Sequence, residues 1–171
     1  MRGLLILLLA LAGLPAVAEE PHLLDVGVAI FDPGIPEDES LHEELEVFPR
    51  IREAESKYLP VTLRRELVDS GQWGVVRVVP ELGSLSEIMV EGRIIASTGR
   101  QQRVHVRVSD ATGRQWLDQE YMLVAGEQAA GSAEPYAGLY RQVALDMLNY
   151  RRALDERSLR EIRGVSLMRY A

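Results

Sequence analysis

Arg103-Val104-His105-Val106-Arg107-Val108 alternates without a break, a valine at every second position and a basic or imidazole side chain between. Successive side chains of a strand point to opposite faces, so Val104, Val106 and Val108 share a buried face while Arg103, His105 and Arg107 face water. Asp110-Ala111-Thr112-Gly113 follows. Aspartate at its start and glycine at its end suit a hairpin built on a type I turn with a left-handed glycine. Residues 115–124 are then the returning strand.

Working back from this hairpin, residues 88–96 read as another strand, with Val90, Gly92, Ile94 and Ala96 on one face. Residues 73–79 make a short apolar strand that Pro80 stops, because proline has no N–H for a ladder. The first strand is 23–31, closed by Asp32-Pro33-Gly34-Ile35-Pro36. Next come the acids Glu37, Asp38, Glu39, Glu43, Glu44 and Glu46, and a helical pattern from near Pro49. Phe48, Ile51, Ala54 and Tyr58 fall at three- and four-residue intervals, and Leu59, Leu63 and Leu67 form an adjacent stripe. Pro60 is expected to kink or split this helix, and Ser70-Gly71 to close it. Downstream, 126–134 is a small polar loop, and Pro135 opens a second helix. Tyr136, Tyr140, Val143, Met147, Tyr150 and Leu154 make its apolar stripe. Leu159 and Ile162 suggest one more short helix, ended by Gly164.

This order predicts an α/β fold of the α+β kind, a two-layer sandwich whose mixed sheet of about five strands carries two main helices on one face. Short turns make the last three strands an antiparallel meander. The first strand reaches the second through a helical crossover, which permits parallel pairing.

At 171 residues the chain has room for one domain. Its 19 Lys+Arg against 26 Asp+Glu give a net charge of −7, which argues against nucleic acid as a partner and against a polybasic membrane patch. The absence of cysteine excludes disulfides, thiolate zinc sites, cysteine nucleophiles and lipid attachment through an amino-terminal cysteine. Arg2, the apolar run 4–14, Pro15 and the small residues Ala16-Val17-Ala18 read as a secretory signal peptide. That run is far short of the roughly 20 residues a membrane span needs. The expected division is a signal peptide at 1–18, one domain at 19–164 and a carboxy-terminal tail at 165–171. Cleavage leaves 26 acids, 18 bases and a net charge of −8, in a periplasmic or secreted protein with no integral membrane segment.

Val90-Glu91-Gly92 and the hairpin from Thr112 to Tyr121, with its Thr-Gly-x-x-Trp turn, carry a resemblance. They resemble the envelope α/β domains of ABC-type transport auxiliary lipoproteins, the curli-secretion lipoprotein group and the amino-terminal domain of the Tol-Pal translocation protein. The likeness in element order runs from about Leu23 to Leu154. It implies a non-catalytic domain that contacts other envelope proteins. Those relatives are often lipidated at a cysteine, which this chain lacks.

Catalytic and metal motifs are missing from the sequence. His22, His42 and His105 have no ligand spacing, and there is no HExxH, GxSxG, Walker loop or GxGxxG. No cofactor is expected. The acidic loop lacks the alternating acids and central glycine that bend a chain around calcium, so it reads as a solvated segment. Arg93, Arg103, Arg107 and Arg114, with His105, are candidates for a basic strip on the open face of the meander. Such a strip either protects the sheet edge or meets a partner's carboxylates. Trp116 is either core packing or, if exposed beside the arginines, a binding anchor. The leading expectation is an exported, non-enzymatic interaction domain in envelope transport or assembly, with an envelope protein as partner. The alternatives are a small-molecule or lipid-binding accessory with a pocket between helices and sheet, and then a hydrolase of envelope polymers using paired carboxylates. Intact-mass measurement of the exported protein is expected to show a chain beginning at Glu19; a mass that retains residues 1–18 would contradict the signal peptide.

Overall fold

The computed structural model describes residues 23–80, 86–126 and 136–169. The expected signal peptide, Pro135 and most of the loop before it lie outside these residues. Five strands, β1 (Val26–Ala29), β2 (Val76–Val79), β3 (Ile88–Ser97), β4 (Gln101–Asp110) and β5 (Gln115–Val124), form one mixed sheet in the order β2-β1-β3-β4-β5. β1 pairs in parallel with both β2 and β3, and β3-β4-β5 is an antiparallel meander. The helices are α1 (Leu41–Glu44), α2 (Pro49–Asp69), α3 (Ala137–Ala153) and α4 (Glu156–Met168). α2 and α3 pack on each other and on one face of the sheet, giving the α+β sandwich that the pattern predicts. Among the described residues no helix is long and apolar enough to cross a membrane.

The alternating valines do what their spacing dictates. Val104, Val106 and Val108 are buried, opposite Ile94, Gly92 and Val90 on β3. Val26 and Val28 continue the row, in register with Ile88 and Val90. The β4–β5 turn closes as expected, with Gly113 at a φ of +87° and its N–H donating to the Asp110 carbonyl at 2.9 Å. The buried Asp110 carboxylate accepts the Thr112 and Arg114 N–H groups and the Trp116 indole N–H, at 2.9, 3.2 and 2.9 Å.

Some local expectations are corrected. A bulge between Ile94 and Ala96 moves Ala96 to the open face, opposite Arg103, and turns Ser97 inward, opposite Gln102. The expected strand at 73–79 begins only at Val76. Trp73 instead packs in the core, its ring 6.4 Å from that of Trp116. Gly164 does not end its helix, and α4 runs through to Met168 with Val165 and Ser166 turned toward the domain.

α2 is one helix despite Pro60. Proline has no N–H to offer the carbonyl four residues back, Ser56, and that carbonyl accepts the Phe31 N–H at 2.9 Å instead. The leucine stripe is core, with Leu59, Leu63 and Leu67 buried. The stripe before it is not. Phe48, Ile51 and Tyr58 are 64%, 54% and 48% exposed, while Arg52 and Ser56 are 1% and 4% exposed on the inner side. The first half of α2 therefore turns Arg52 and Ser56 inward and leaves Ile51 and Tyr58 outward.

Phe31 lies across Gly92, with ring atoms 2.5 Å from where a Cβ would be. Gly92→Ala is expected to lower stability by about 1–3 kcal/mol through overpacking. Urea unfolding of Gly92→Ala, Phe31→Leu and the double variant checks this. The double variant should lose less than the two singles together, and additive losses would overturn the contact. In the same assay Leu63→Ala should cost about 2–5 kcal/mol. Phe48→Ser and Ile51→Ser should each stay within about 0.5 kcal/mol, as exposed positions do. Equal losses at all three sites would show that the outer stripe is packed.

Candidate functional site

The outward stripe of α2 forms one wall of a groove of about 520 Å³. Phe48, Ile51, Tyr58 and Leu59 supply that wall, Tyr136 and Tyr140 the opposite one from the start of α3, and Ser97, Thr98, Gly99 and Gln102 the base from the β3–β4 turn. Thr98 shapes this turn, its Oγ1 accepting the Arg100 and Gln101 N–H groups at 3.1 and 3.2 Å. Tyr136 Oη donates to the Thr98 carbonyl at 2.8 Å and fixes α3 against the turn.

Polar groups line the floor in a chain. Tyr140 Oη donates to Gln102 Oε1 at 2.7 Å, Gln102 Nε2 to Ser97 Oγ at 3.4 Å, and Ser97 Oγ to Glu55 Oε1 at 2.6 Å. The β3 bulge that turns Ser97 inward makes this chain possible. The other carboxylate oxygen, Glu55 Oε2, is buried and has no hydrogen-bond partner. Arg52 Nε is the nearest cationic atom, at 3.9 Å, an ion-pair distance but too long for a hydrogen bond. The Arg52 guanidinium is committed elsewhere, Nη1 donating to the Pro33 and Ile94 carbonyls at 3.3 and 3.4 Å. Burial pulls its pKa below the ordinary arginine value, and Glu55 opposes that. At the rim, Arg100 Nη2 donates to both carboxylate oxygens of Glu46, at 2.7 and 2.8 Å. Glu46 holds a left-handed backbone, with φ at +52°.

The residues expected to make a basic strip are only partly together. Arg93, Arg103, His105 and Arg107 do share the open face of the sheet, interleaved with acids. Arg93 faces Asp32 at 3.4 Å, and Arg103 faces Glu120 at 3.6 Å. His105 Nε2 meets Asp118 at 2.7 Å, and Arg107 lies between Asp118 and Glu91 at 3.5 and 3.9 Å. The face is a charge-balanced lattice and not a cationic strip. Its acids come from neighbouring segments, Glu91 from β3, Asp118 and Glu120 from β5 and Asp32 from the loop after β1, which alternation along one strand does not reveal. Arg114 is not on this face; it sits in the β4–β5 turn, 3.8 Å from Glu161 of α4. Trp116 is no surface anchor either. A bulge on β5 turns it inward, where it is 5% exposed and stacks on Tyr150 with ring centroids 5.0 Å apart.

Among the described residues no three or more His, Asp or Glu side chains converge as metal ligands. The helical spacing of Phe48, Ile51, Ala54 and Tyr58 leaves open whether that stripe is buried, so the sequence allows a pocket between helices and sheet without placing it on these residues. The available signal was Arg52 and Ser56, polar residues at the helical positions that lead into the leucine stripe.

No protein-family model matches the chain, and no curated protein matches it. Among solved structures, it is similar to the PelC dodecamer from Paraburkholderia phytofirmans, at 13% identity and a TM-score of 0.47, over 74% of this chain and 91% of that one. It is also similar to the hypothetical protein CT253 from Chlamydia trachomatis, at 11% identity and a TM-score of 0.40, over 76% and 99% of the two chains. Neither is one of the envelope groups whose hairpin the sequence resembles, and at this level of likeness no functional statement rests on either.

Proposed function

We propose that this chain is an exported, non-catalytic accessory protein of the cell envelope that holds a small amphipathic molecule in the groove between α2, α3 and the β3–β4 turn. The observation that carries this reading is the reversal of α2, which exposes Phe48, Ile51 and Tyr58 to water while Arg52 and Ser56 occupy the core side. Full burial of an apolar side chain is worth roughly 1.5–3 kcal/mol, and these half-exposed side chains forgo about half of that each. A ligand that covers them recovers that energy. The groove volume lies within the range of small-molecule sites, about 300–1,000 Å³, and apolar walls over a few convergent polar groups are the usual build of such sites. The signal-like amino terminus and the hairpin resemblance support the envelope. The absence of a catalytic motif supports binding over chemistry. The open face supports an envelope-protein partner less well, since Arg93, Arg103, His105 and Arg107 each already face a carboxylate.

The test is titration of the purified protein with an apolar dye whose fluorescence rises on leaving water. Wild type is expected to bind it saturably, and the Phe48→Ser/Ile51→Ser double variant to bind it at least about tenfold more weakly, a difference of about 1.4 kcal/mol. Melting temperature should barely change, because both positions are exposed. Absence of saturable binding, or equal binding by the double variant, would overturn the reading.

A further inference from the structure

The groove carries information about the head of its ligand as well as its body. Among the described residues that line it are two carboxylates, Glu46 and Glu55, and no lysine, arginine or histidine. The two arginines nearby act on these acids from outside. Arg52 lies behind the floor, 1% exposed, with Nη1 spent on the Pro33 and Ile94 carbonyls. Arg100 reaches Glu46 from the rim through an exposed ion pair, a contact that water and salt weaken.

Three further features favour a cation. Glu55 lines the floor with its side chain 23% exposed. Its Oε2 is closed off from solvent, so a ligand meets the rest of the carboxylate, where Oε1 accepts one hydrogen bond, from Ser97, and keeps a lone pair for an ammonium N–H. The walls are rich in aromatic rings, Phe48, Tyr58, Tyr136 and Tyr140, whose faces are electronegative and attract ammonium groups. An anionic head would meet two carboxylates in a site partly shielded from water, where repulsion is poorly screened.

Resting on the reading of the groove as a small-molecule site, we propose that it selects amphiphiles with a protonated amine head over those with an anionic head. The apolar body lies along Phe48, Ile51 and Tyr58, and the amine reaches Glu55, with Glu46 exchanging Arg100 for it where the head lies nearer the rim.

Competition against the bound dye tests this with three probes of one chain length, decylammonium, decanol and decanoate, all below their aggregation limits at neutral pH. Decylammonium should displace the dye from wild type at a concentration about tenfold or more below that of decanoate, with decanol between them. Glu55→Gln and Glu46→Gln should each shrink the gap, and together bring the two charged probes within about threefold. The variants matter because a protein of net charge −7 attracts cations everywhere. A preference due only to that overall field would persist in both, and its persistence would overturn the proposal. Glu46 is exposed at the rim, so Glu46→Gln keeps the test decisive even if Glu55→Gln loosens Ser97. Equal displacement by all three probes would leave the groove as a binding site and overturn the head selection. Failure of all three to displace the dye would overturn both.

Discussion

The Ser56 carbonyl, released by the proline four residues on, is the point on which the arrangement turns. Had residue 60 an N–H, that carbonyl would close an ordinary helical turn; instead it accepts Phe31 N–H at 2.9 Å and ties the middle of α2 to the end of β1. Arg52, one helical turn earlier, holds the same side with Nη1 on the carbonyls of Pro33 and Ile94. Hydrogen bonds to charged groups contribute about 1.5–3 kcal/mol each, so these contacts compete well with the burial of one apolar side chain. They fix the rotation of the helix about its axis. Phe48, Ile51 and Tyr58 point outward as the geometric consequence.

The same contacts depend on glycine at two places. Gly34, at a φ of +62°, brings its backbone so near β3 that a Cβ would stand 1.9 Å from the Ile94 carbonyl oxygen. Gly92 admits the Phe31 ring. Loop 32–36 therefore sits tight on β3, and the β3 bulge beside it aims Ser97 at Glu55. The opposite end of the layer interface is filled. There Trp73, Trp116 and Tyr150 pack as a cluster, with the Arg151 guanidinium 5.6 Å from the Trp73 ring centroid. Among the described residues the interface is thus closed at the hairpin end and open at the β3–β4 turn.

Much of the fold is readable from the sequence because it rests on period-two and period-3.6 patterns that tertiary contacts leave intact. Val104, Val106 and Val108, the Asp110 turn with Gly113, and the α3 stripe from Tyr140 to Met147 are such cases. What the patterns hide are events between strands. The insertion of β1 beside β3, the bulges that move Ala96 and Trp116, and the acids opposite Arg103 and Arg107 all depend on register between segments distant in sequence. The candidate site fell on the hidden side. Apolar residues at helical spacing near Pro49 fit a buried face as well as an exposed one, and only the partners of Arg52 and Ser56 decide between them.

Those partners also explain why the groove stays open. A helix free to turn would bring Phe48, Ile51 and Tyr58 onto the sheet and Arg52 into water, gaining apolar burial and relieving a charge of its desolvation. That rotation would strip Phe31 N–H and the Pro33 and Ile94 carbonyls of their partners, leaving polar groups unpaired in the interior at about 1–3 kcal/mol apiece. It would also carry Glu55 away from Ser97 and leave the inner end of the floor chain without its acceptor. The outward stripe is therefore held by backbone bonding rather than by its own packing. Such a surface is already in place before any ligand arrives, so binding need not bear the cost of organising the helix that lines it.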